Sequence, residues 1–120
     1  MNKKIWKKSP QDLQEIFYSS MEEFPSVELR KMFGYPCAFL NGNMMTGLHE
    51  ENFAIRLPSL ERQKALDSKQ GNIFAPMKGR IMEEYLALSK NIIDDKKKLH
   101  AWLLKSFDYT NSLPKKEKKS

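Results

Sequence analysis

The residues best suited to chemistry in this sequence are a single cysteine, Cys37, and two histidines, His49 and His100. A thiol becomes a nucleophile when a neighbouring base or positive charge lowers its pKa, and neither histidine lies at a spacing that places it beside Cys37. The three residues also form no cluster at structural-zinc spacing, so no metal site is predicted. We expect Cys37 to be buried on a strand, His49 to lie on a surface turn and His100 to lie on a helix flank.

A second candidate group combines a phenol, a thiol and a guanidinium, those of Tyr35, Cys37 and Arg80. Arg80 follows Gly79 and could hold a carboxylate or another anion. The alternative is a structural arginine that binds backbone carbonyls or an acidic side chain. Because the sequence pattern does not determine strand order, a ligand pocket near these three residues is a hypothesis that depends on the fold.

Other motifs typical of catalysis or cofactor binding are missing from the sequence. Glu83 and Glu84 cannot act as a carboxylate pair within one strand, since adjacent side chains point to opposite faces. The five glycines stand singly rather than in a phosphate-binding loop. Most of the seven methionines fall in the predicted sheet, where they fill the core or line an adaptable binding surface. We therefore predict no enzyme activity and no cofactor.

Three helices are predicted from capping residues and from apolar residues spaced at i, i+3 and i+4. The first and second begin at serine caps, and the last begins at an aspartate cap. The last also carries an apolar stripe that includes Leu99, Trp102 and Leu103. The predicted helices are 10–23 with the cap Ser9, 59–66 with the cap Ser59, and a helix ending near Asn111 with the cap Asp94 or Asp95.

Alternating apolar residues between turn signals predict an antiparallel sheet. Its strongest element is a hairpin in which Asn41-Gly42 accepts the positive φ angles of a type I′ turn between strands 37–40 and 43–46. Gly47 in the return strand indicates a bulge or a close backbone contact. The other predicted strands are 27–33, 53–57, 72–75 and 82–88, with a turn at 76–80.

Excess positive charge is concentrated at the two ends of the 120-residue chain, whose net charge is +6. Residues 1–8 and 115–120 hold the lysine clusters, whereas residues 9–114 are close to neutral. Such tails could bind nucleic acid in a salt-sensitive way, or they could be frayed, solubilising ends. The candidate nucleic-acid contacts are Lys3, Lys4, Lys7, Lys8, Lys115, Lys116, Lys118 and Lys119.

The length and composition predict one α+β domain over residues 9–114, flanked by the two basic tails. A single cysteine excludes an intramolecular disulfide framework. The apolar runs are far shorter than the roughly 18 residues that a membrane span needs, and the basic N-terminus leads into Ser9 rather than a signal core. We expect a cytoplasmic protein without membrane association.

The order of several short motifs resembles the N-terminal domain family of TfoX/Sxy, the bacterial competence regulators. The resemblance covers about residues 10–114. Its most specific parts are a Met-Phe-Gly segment before a hairpin glycine and a Gly-Arg-x-Met segment before a tyrosine. The matching positions are Met32, Phe33, Gly34, Gly42, Gly79, Arg80 and Met82.

The resemblance implies an antiparallel sheet with helices at the beginning, in the middle and at the end. It supplies a fold signature without catalytic residues, and full-length members carry a second, helical domain. We therefore predict a non-enzymatic regulatory or protein-interaction domain with an unidentified protein partner or a second copy as partner. The alternatives are a nucleic-acid-associated protein acting through its lysine tails, and a small-molecule binder or enzyme with a pocket near Tyr35, Cys37 and Arg80.

Overall fold

The computed structural model describes residues 7–76, 79 and 81–116. Within them the chain forms an α+β fold, an open antiparallel sheet accompanied by helices. The elements in chain order are α1 (Gln11–Met21), β1 (Glu28–Met32), β2 (Tyr35–Leu40), β3 (Asn43–His49), β4 (Asn52–Arg56), α2 (Ser59–Asp67), β5 (Gly71–Ile73), β6 (Tyr85–Leu88), α3 (Lys90–Ile93) and α4 (Lys96–Ser112).

The sheet has the strand order β1-β2-β3-β4-β6-β5, and every neighbouring pair is antiparallel. The first four strands follow one another along the chain as hairpins. Strand β6 then inserts between β4 and β5. The expected antiparallel sheet with helices at the beginning, middle and end is therefore confirmed.

Helices α1 and α4 cover one face of this sheet and form the main core with it. The helical spacing of Leu13, Phe17 and Met21 buries all three side chains on one side of α1. Phe17 packs against Phe53 of β4 with the ring centroids 5.6 Å apart. On α4, the indole Nε1 of Trp102 donates a hydrogen bond to Gln70. The predicted apolar stripes therefore face the sheet.

The two serine caps predicted for the first two helices are wrong. Pro10 and Pro58 occupy the N-cap positions, and neither helix start has a side-chain cap hydrogen bond. Each proline has an extended ψ angle and is followed directly by the first helical residue, which is Gln11 in α1 and Ser59 in α2. The aspartate cap of the last helix is confirmed, because Asp95 accepts hydrogen bonds from the backbone N–H groups of Lys97 and Lys98.

The late strands are shorter than predicted, and one short helix was not predicted. The segment predicted as strand 82–88 forms a strand only from Tyr85, since Tyr85 first donates its N–H to the carbonyl of Met82 in a turn. Strand β5 ends at Ile73 rather than residue 75. Much of the predicted turn at 76–80 lies outside the described residues, and α3 follows β6 directly.

The β2–β3 hairpin has the predicted Asn41-Gly42 turn, with φ angles of 54° and 83°. Its bulge lies elsewhere than expected. Ala38 pairs with Thr46 and Phe39 with Met44, so the extra residue is Met45 and not Gly47. Gly47 instead provides a close approach, because a Cβ there would lie 2.9 Å from the Cβ of Cys37. Of the two roles predicted for Gly47, the close backbone contact is therefore confirmed and the bulge is wrong.

The bulge is held by side chains from both sides of the sheet. The hydroxyl of Tyr85 donates to the carbonyl of Met44 at 3.0 Å, and Ser106 of α4 donates to the carbonyl of Met45 at 3.2 Å. These bonds satisfy carbonyls that an uninterrupted ladder would pair with backbone N–H groups.

Replacing Tyr85 by phenylalanine is expected to lower the free energy of unfolding by about 1 kcal/mol at neutral pH, through loss of the hydrogen bond to Met44. Burial raises the pKa of Tyr85 to about 12, against a weaker opposing effect of Arg56. The unfolded chain therefore loses this proton first, and wild-type stability falls by roughly 1.4 kcal/mol per pH unit between about pH 10 and 12. Urea unfolding at pH 8 should show the wild type about 1 kcal/mol more stable than the variant, and at pH 11 this difference in the free energy of unfolding should disappear or change sign. A constant difference would contradict the assignment.

Candidate interaction surface

The structure places Tyr35 and Cys37 on the face of the sheet opposite α1 and α4. Ala38 of β2 lies in the main core with α1. Because successive side chains of a strand point to opposite faces, those of Tyr35 and Cys37 point away from these helices. Both side chains are buried. Arg80, the third member of the hypothetical ligand pocket, lies outside the described residues. Neither of the two cavities described below is lined by Tyr35 or Cys37.

Cys37 is a buried strand residue, as predicted. Burial raises the pKa of its thiol, and the nearby Arg30 only partly opposes this effect. The Sγ atom donates to the backbone carbonyl of Arg30 at 3.6 Å. A thiol held in its protonated form is a poor nucleophile, so this environment favours packing over covalent catalysis.

His49 differs from its prediction as a surface-turn residue. It is half-buried at the end of β3, and its ring lies 5.0 Å from that of Tyr35 and 6.0 Å from that of Phe74. The hydroxyl of Tyr35 donates to the carbonyl of Lys7. These partners are distant in sequence, which explains why local patterning did not identify the cluster.

Arg56 is the polar residue that the sequence analysis did not single out on this face. Its guanidinium forms an ion pair with Glu84 at 2.9 Å and lies 5.5 Å from the ring centre of Tyr85. It also donates to the carbonyl of Met44 at 3.4 Å. Arg56 therefore supports the bulge together with Tyr85, which indicates a structural role.

Two further features of the described residues concern metal ligands and helix length. Across residues 7–76, 79 and 81–116, no three His, Cys, Asp or Glu residues are grouped so that they could hold a metal ion. None of the helices in these ranges combines the length and apolar character needed to cross a membrane.

The clearest surface feature is the exposed hairpin, by which we mean the edge strand β1 and its turn Phe33-Gly34. Leu29, Met32 and Phe33 are 48%, 42% and 79% exposed. Phe33 has a φ of 54° and Gly34 a φ of 85°, so the turn is of the two-residue hairpin type. An aromatic residue is uncommon in this left-handed region. The sequence predicted a strand end here, because Gly34 and Tyr35-Pro36 interrupt the alternating run.

Charged residues of β1 lie beside these apolar side chains. Arg30 makes two hydrogen bonds of 3.1 Å to the carboxylate of Glu28, two residues away on the same face of the strand. Its guanidinium also lies 4.6 Å from the ring centre of Phe39 on β2. The edge strand therefore presents an ordered acid–base pair on one face and Leu29 on the other.

A groove of about 690 Å³ lies between α1 and the helices α3 and α4. Ile16, Leu99 and Leu103 contribute apolar lining, with acidic side chains on α1 and Lys96 and Lys97 on α4. His100 is on the flank of α4, as predicted, where it stacks on Phe24 and lies 4.0 Å from a carboxylate oxygen of Glu23. A smaller hollow of about 160 Å³ lies beside Ile73.

The described ends of the chain are attached to the domain at the two ends of β2. The carbonyl of Lys7 accepts from Tyr35, while the N–H of Lys116 donates to the carbonyl of Asn41 at 2.9 Å. With a rise of about 3.3 Å per residue, these points are roughly 20 Å apart. Lys8 and Lys115 are exposed. Lys3, Lys4, Lys118 and Lys119 lie outside the described residues.

The residues of the fold signature have separate roles in the structure. Gly34, Gly42 and Gly79 all have positive φ angles. Met32 and Phe33 are exposed, whereas Met82 packs against a small cluster of Ala54, Phe74 and Ala87. The signature therefore combines turn geometry with one exposed surface.

The fold and these surfaces define a small α+β domain built on an open antiparallel sheet whose edge strand β1 is exposed. The model of the TfoX N-terminal domain matches residues 19–109, and the chain belongs to this family. Comparisons with curated proteins and with solved structures gave no match.

Proposed function

We propose that this domain is a non-enzymatic, cytoplasmic protein-interaction module with a regulatory role, and that it binds its partner through the exposed hairpin. The observation that carries the proposal is Phe33, an aromatic residue with positive φ and 79% exposure. Such a conformation costs of order 1 kcal/mol, and most of the side chain is exposed to solvent. Met32 is exposed beside this turn, and Leu29 is exposed on the opposite face of β1. Exposed apolar patches mark interaction sites.

Phe33→Asn separates this function from stability. Asparagine tolerates positive φ better than phenylalanine, so the variant is expected to gain about 0.5–1 kcal/mol in free energy of unfolding while losing the partner. The measurement is capture of proteins from nuclease-treated bacterial lysate, together with chemical denaturation. Leu60→Ser on α2 is the matched control, because Leu60 is 67% exposed and lies away from β1.

A protein retained by the wild type and by Leu60→Ser but lost by Phe33→Asn would support the hairpin as the binding surface. Equal retention of every captured protein by all three chains would contradict it. The environment of Cys37 supports neither covalent catalysis nor a ligand pocket as strongly, since the thiol is buried and its pKa is raised.

Nucleic-acid association is the second candidate function, favoured by the attachment of Lys7 and Lys116 at opposite ends of β2. This arrangement holds Lys7 and Lys116 at defined positions on the domain. The test is capture from bacterial lysate that has not been treated with nuclease. The amount of bound nucleic acid should fall steeply between 50 and 200 mM salt, as expected for contacts between lysine and phosphate. Glutamine substitutions at Lys7, Lys8, Lys115 and Lys116 should weaken retention. Retention that these changes leave intact would remove this candidate.

A further inference from the structure

Strand β1 forms one edge of the sheet and, among the described residues, pairs with β2 alone. Its turn is closed by the pair Met32 and Tyr35. In such a two-residue hairpin the closing pair is hydrogen-bonded and the bonding alternates along the strand. The backbone N–H and C=O groups of Glu28, Arg30 and Met32 therefore face β2. Those of Leu29 and Lys31 face outward from the sheet.

We propose that a second copy of this chain pairs with that edge, with the two β1 strands antiparallel and centred on Leu29. Two sheets would then join into one continuous sheet. The inference rests on the proposed function, because it names a second copy as a partner of the exposed hairpin. We assign no partner to the groove between α1 and α4, because both acidic and basic side chains line it.

Charge complementarity selects this register. Antiparallel pairing through the outward-facing groups can be centred on Glu28, Leu29, Arg30 or Lys31. Three of these choices place a charged residue directly opposite its own copy, which is destabilising. Centring on Leu29 avoids this arrangement, because Glu28 then lies opposite Arg30 of the second copy, and Arg30 opposite its Glu28.

The side chains around Leu29 suit the same register. Glu28 and Arg30 already lie on one face, joined by hydrogen bonds of 3.1 Å, so two copies would bring four alternating charges together. On the other face, Leu29 is 48% exposed and would meet Leu29 of the second copy. The backbone N–H and C=O of Leu29 would exchange two hydrogen bonds with their counterparts.

The oligomeric state of the full chain tests the interface. Sedimentation velocity should show a dimer for the wild type and for Leu60→Lys, whose exposed side chain lies on α2. Leu29→Lys places two ammonium groups opposite each other and should weaken the dimer by about tenfold or more. A monomeric wild type at its highest soluble concentration would overturn the proposal. An undiminished Leu29→Lys dimer would do the same.

Charge reversal and cross-linking test the register. Arg30→Glu and Glu28→Arg should each be monomeric alone and should form a heterodimer when mixed. Leu29→Cys should form a disulfide-linked dimer on mild oxidation, because residues directly opposite in a hydrogen-bonded pair have Cα atoms about 5.5 Å apart. Lys31→Cys should not, because its counterpart is displaced by about four residues along the strand, roughly 13 Å. The wild type controls for the buried Cys37.

Cross-linking of Lys31→Cys but not Leu29→Cys would overturn the register, as would a failure of the mixed charge variants to associate. These results are distinguishable from those of the proposed function. Loss of the dimer with a lysate partner still dependent on Phe33 removes only the second copy as partner, whereas retention of every lysate partner by Phe33→Asn removes the proposed function itself.

Discussion

Phe53→Ala is expected to lower the free energy of unfolding by about 3–5 kcal/mol, the largest effect of any single change considered for this domain. The side chain is fully buried in the main core, where it packs between the sheet and Phe17 of α1. Its removal costs the transfer free energy of the ring and leaves a cavity between β4 and α1. For a domain of this size the midpoint temperature should fall by roughly 10–20 °C.

Phe33→Ala is the matched control for this measurement, since it removes the same ring from a side chain that is mostly exposed. Chemical denaturation should show a change of less than about 1 kcal/mol for this variant. Similar losses in the two variants would mean that Phe33 packs as a core residue. That result would remove the basis for the exposed hairpin.

Gly42→Ala is expected to cost about 2–3 kcal/mol, because two constraints act at this position. Its φ of +83° is unfavourable for any residue with a Cβ, and a Cβ built there would overlap the backbone carbonyl of Lys116. The hydrogen bond from Lys116 to Asn41 and that from Asn43 to Pro114 hold the C-terminal segment across this turn. The substitution should therefore displace residues 114–116 from the β2–β3 hairpin.

Gly34→Ala separates the two contributions. Gly34 has a similar φ of +85°, but no atom of the described residues lies within 4 Å of the position of a Cβ, so its substitution should cost only the backbone strain of about 1 kcal/mol. Amide hydrogen exchange at Lys116 provides the second readout, and it should accelerate in Gly42→Ala but not in Gly34→Ala. Equal costs and unchanged exchange would show that the C-terminal segment does not depend on Gly42.

Local sequence signals predicted α1, the Asn41-Gly42 hairpin and α4, because helical periodicity and turn propensity depend on residues close together in the chain. Features that depend on distant residues were not predictable in this way. The bulge lies at Met45, where Tyr85 and Ser106 approach from opposite faces, and nothing within the hairpin sequence specifies those partners. The docking of residues 114–116 on the β2–β3 hairpin also depends on partners that are distant in the sequence.

The candidate surface was only partly visible in the sequence. Met32, Phe33 and Gly34 were identified through the family resemblance, but their exposure was not, since an apolar run normally indicates a buried strand. The signal that could have revealed the hairpin is Gly34 beside Phe33, flanked by alternating residues on both sides. Tyr35 and Cys37 lie on the same face of β2, as expected for residues two apart on a strand. Sharing a face does not by itself form a pocket, and neither residue lines one of the two cavities.

The strand order of the sheet favours one sequence of events in folding. Strands β1 to β4 are neighbours in the chain as well as in the sheet, so their pairing closes only short loops. Strand β6 must find β4 across the intervening α2 and β5, at a greater loop-closure cost. The N-terminal meander is therefore expected to form first and to serve as the template on which β6, β5 and finally α4 assemble.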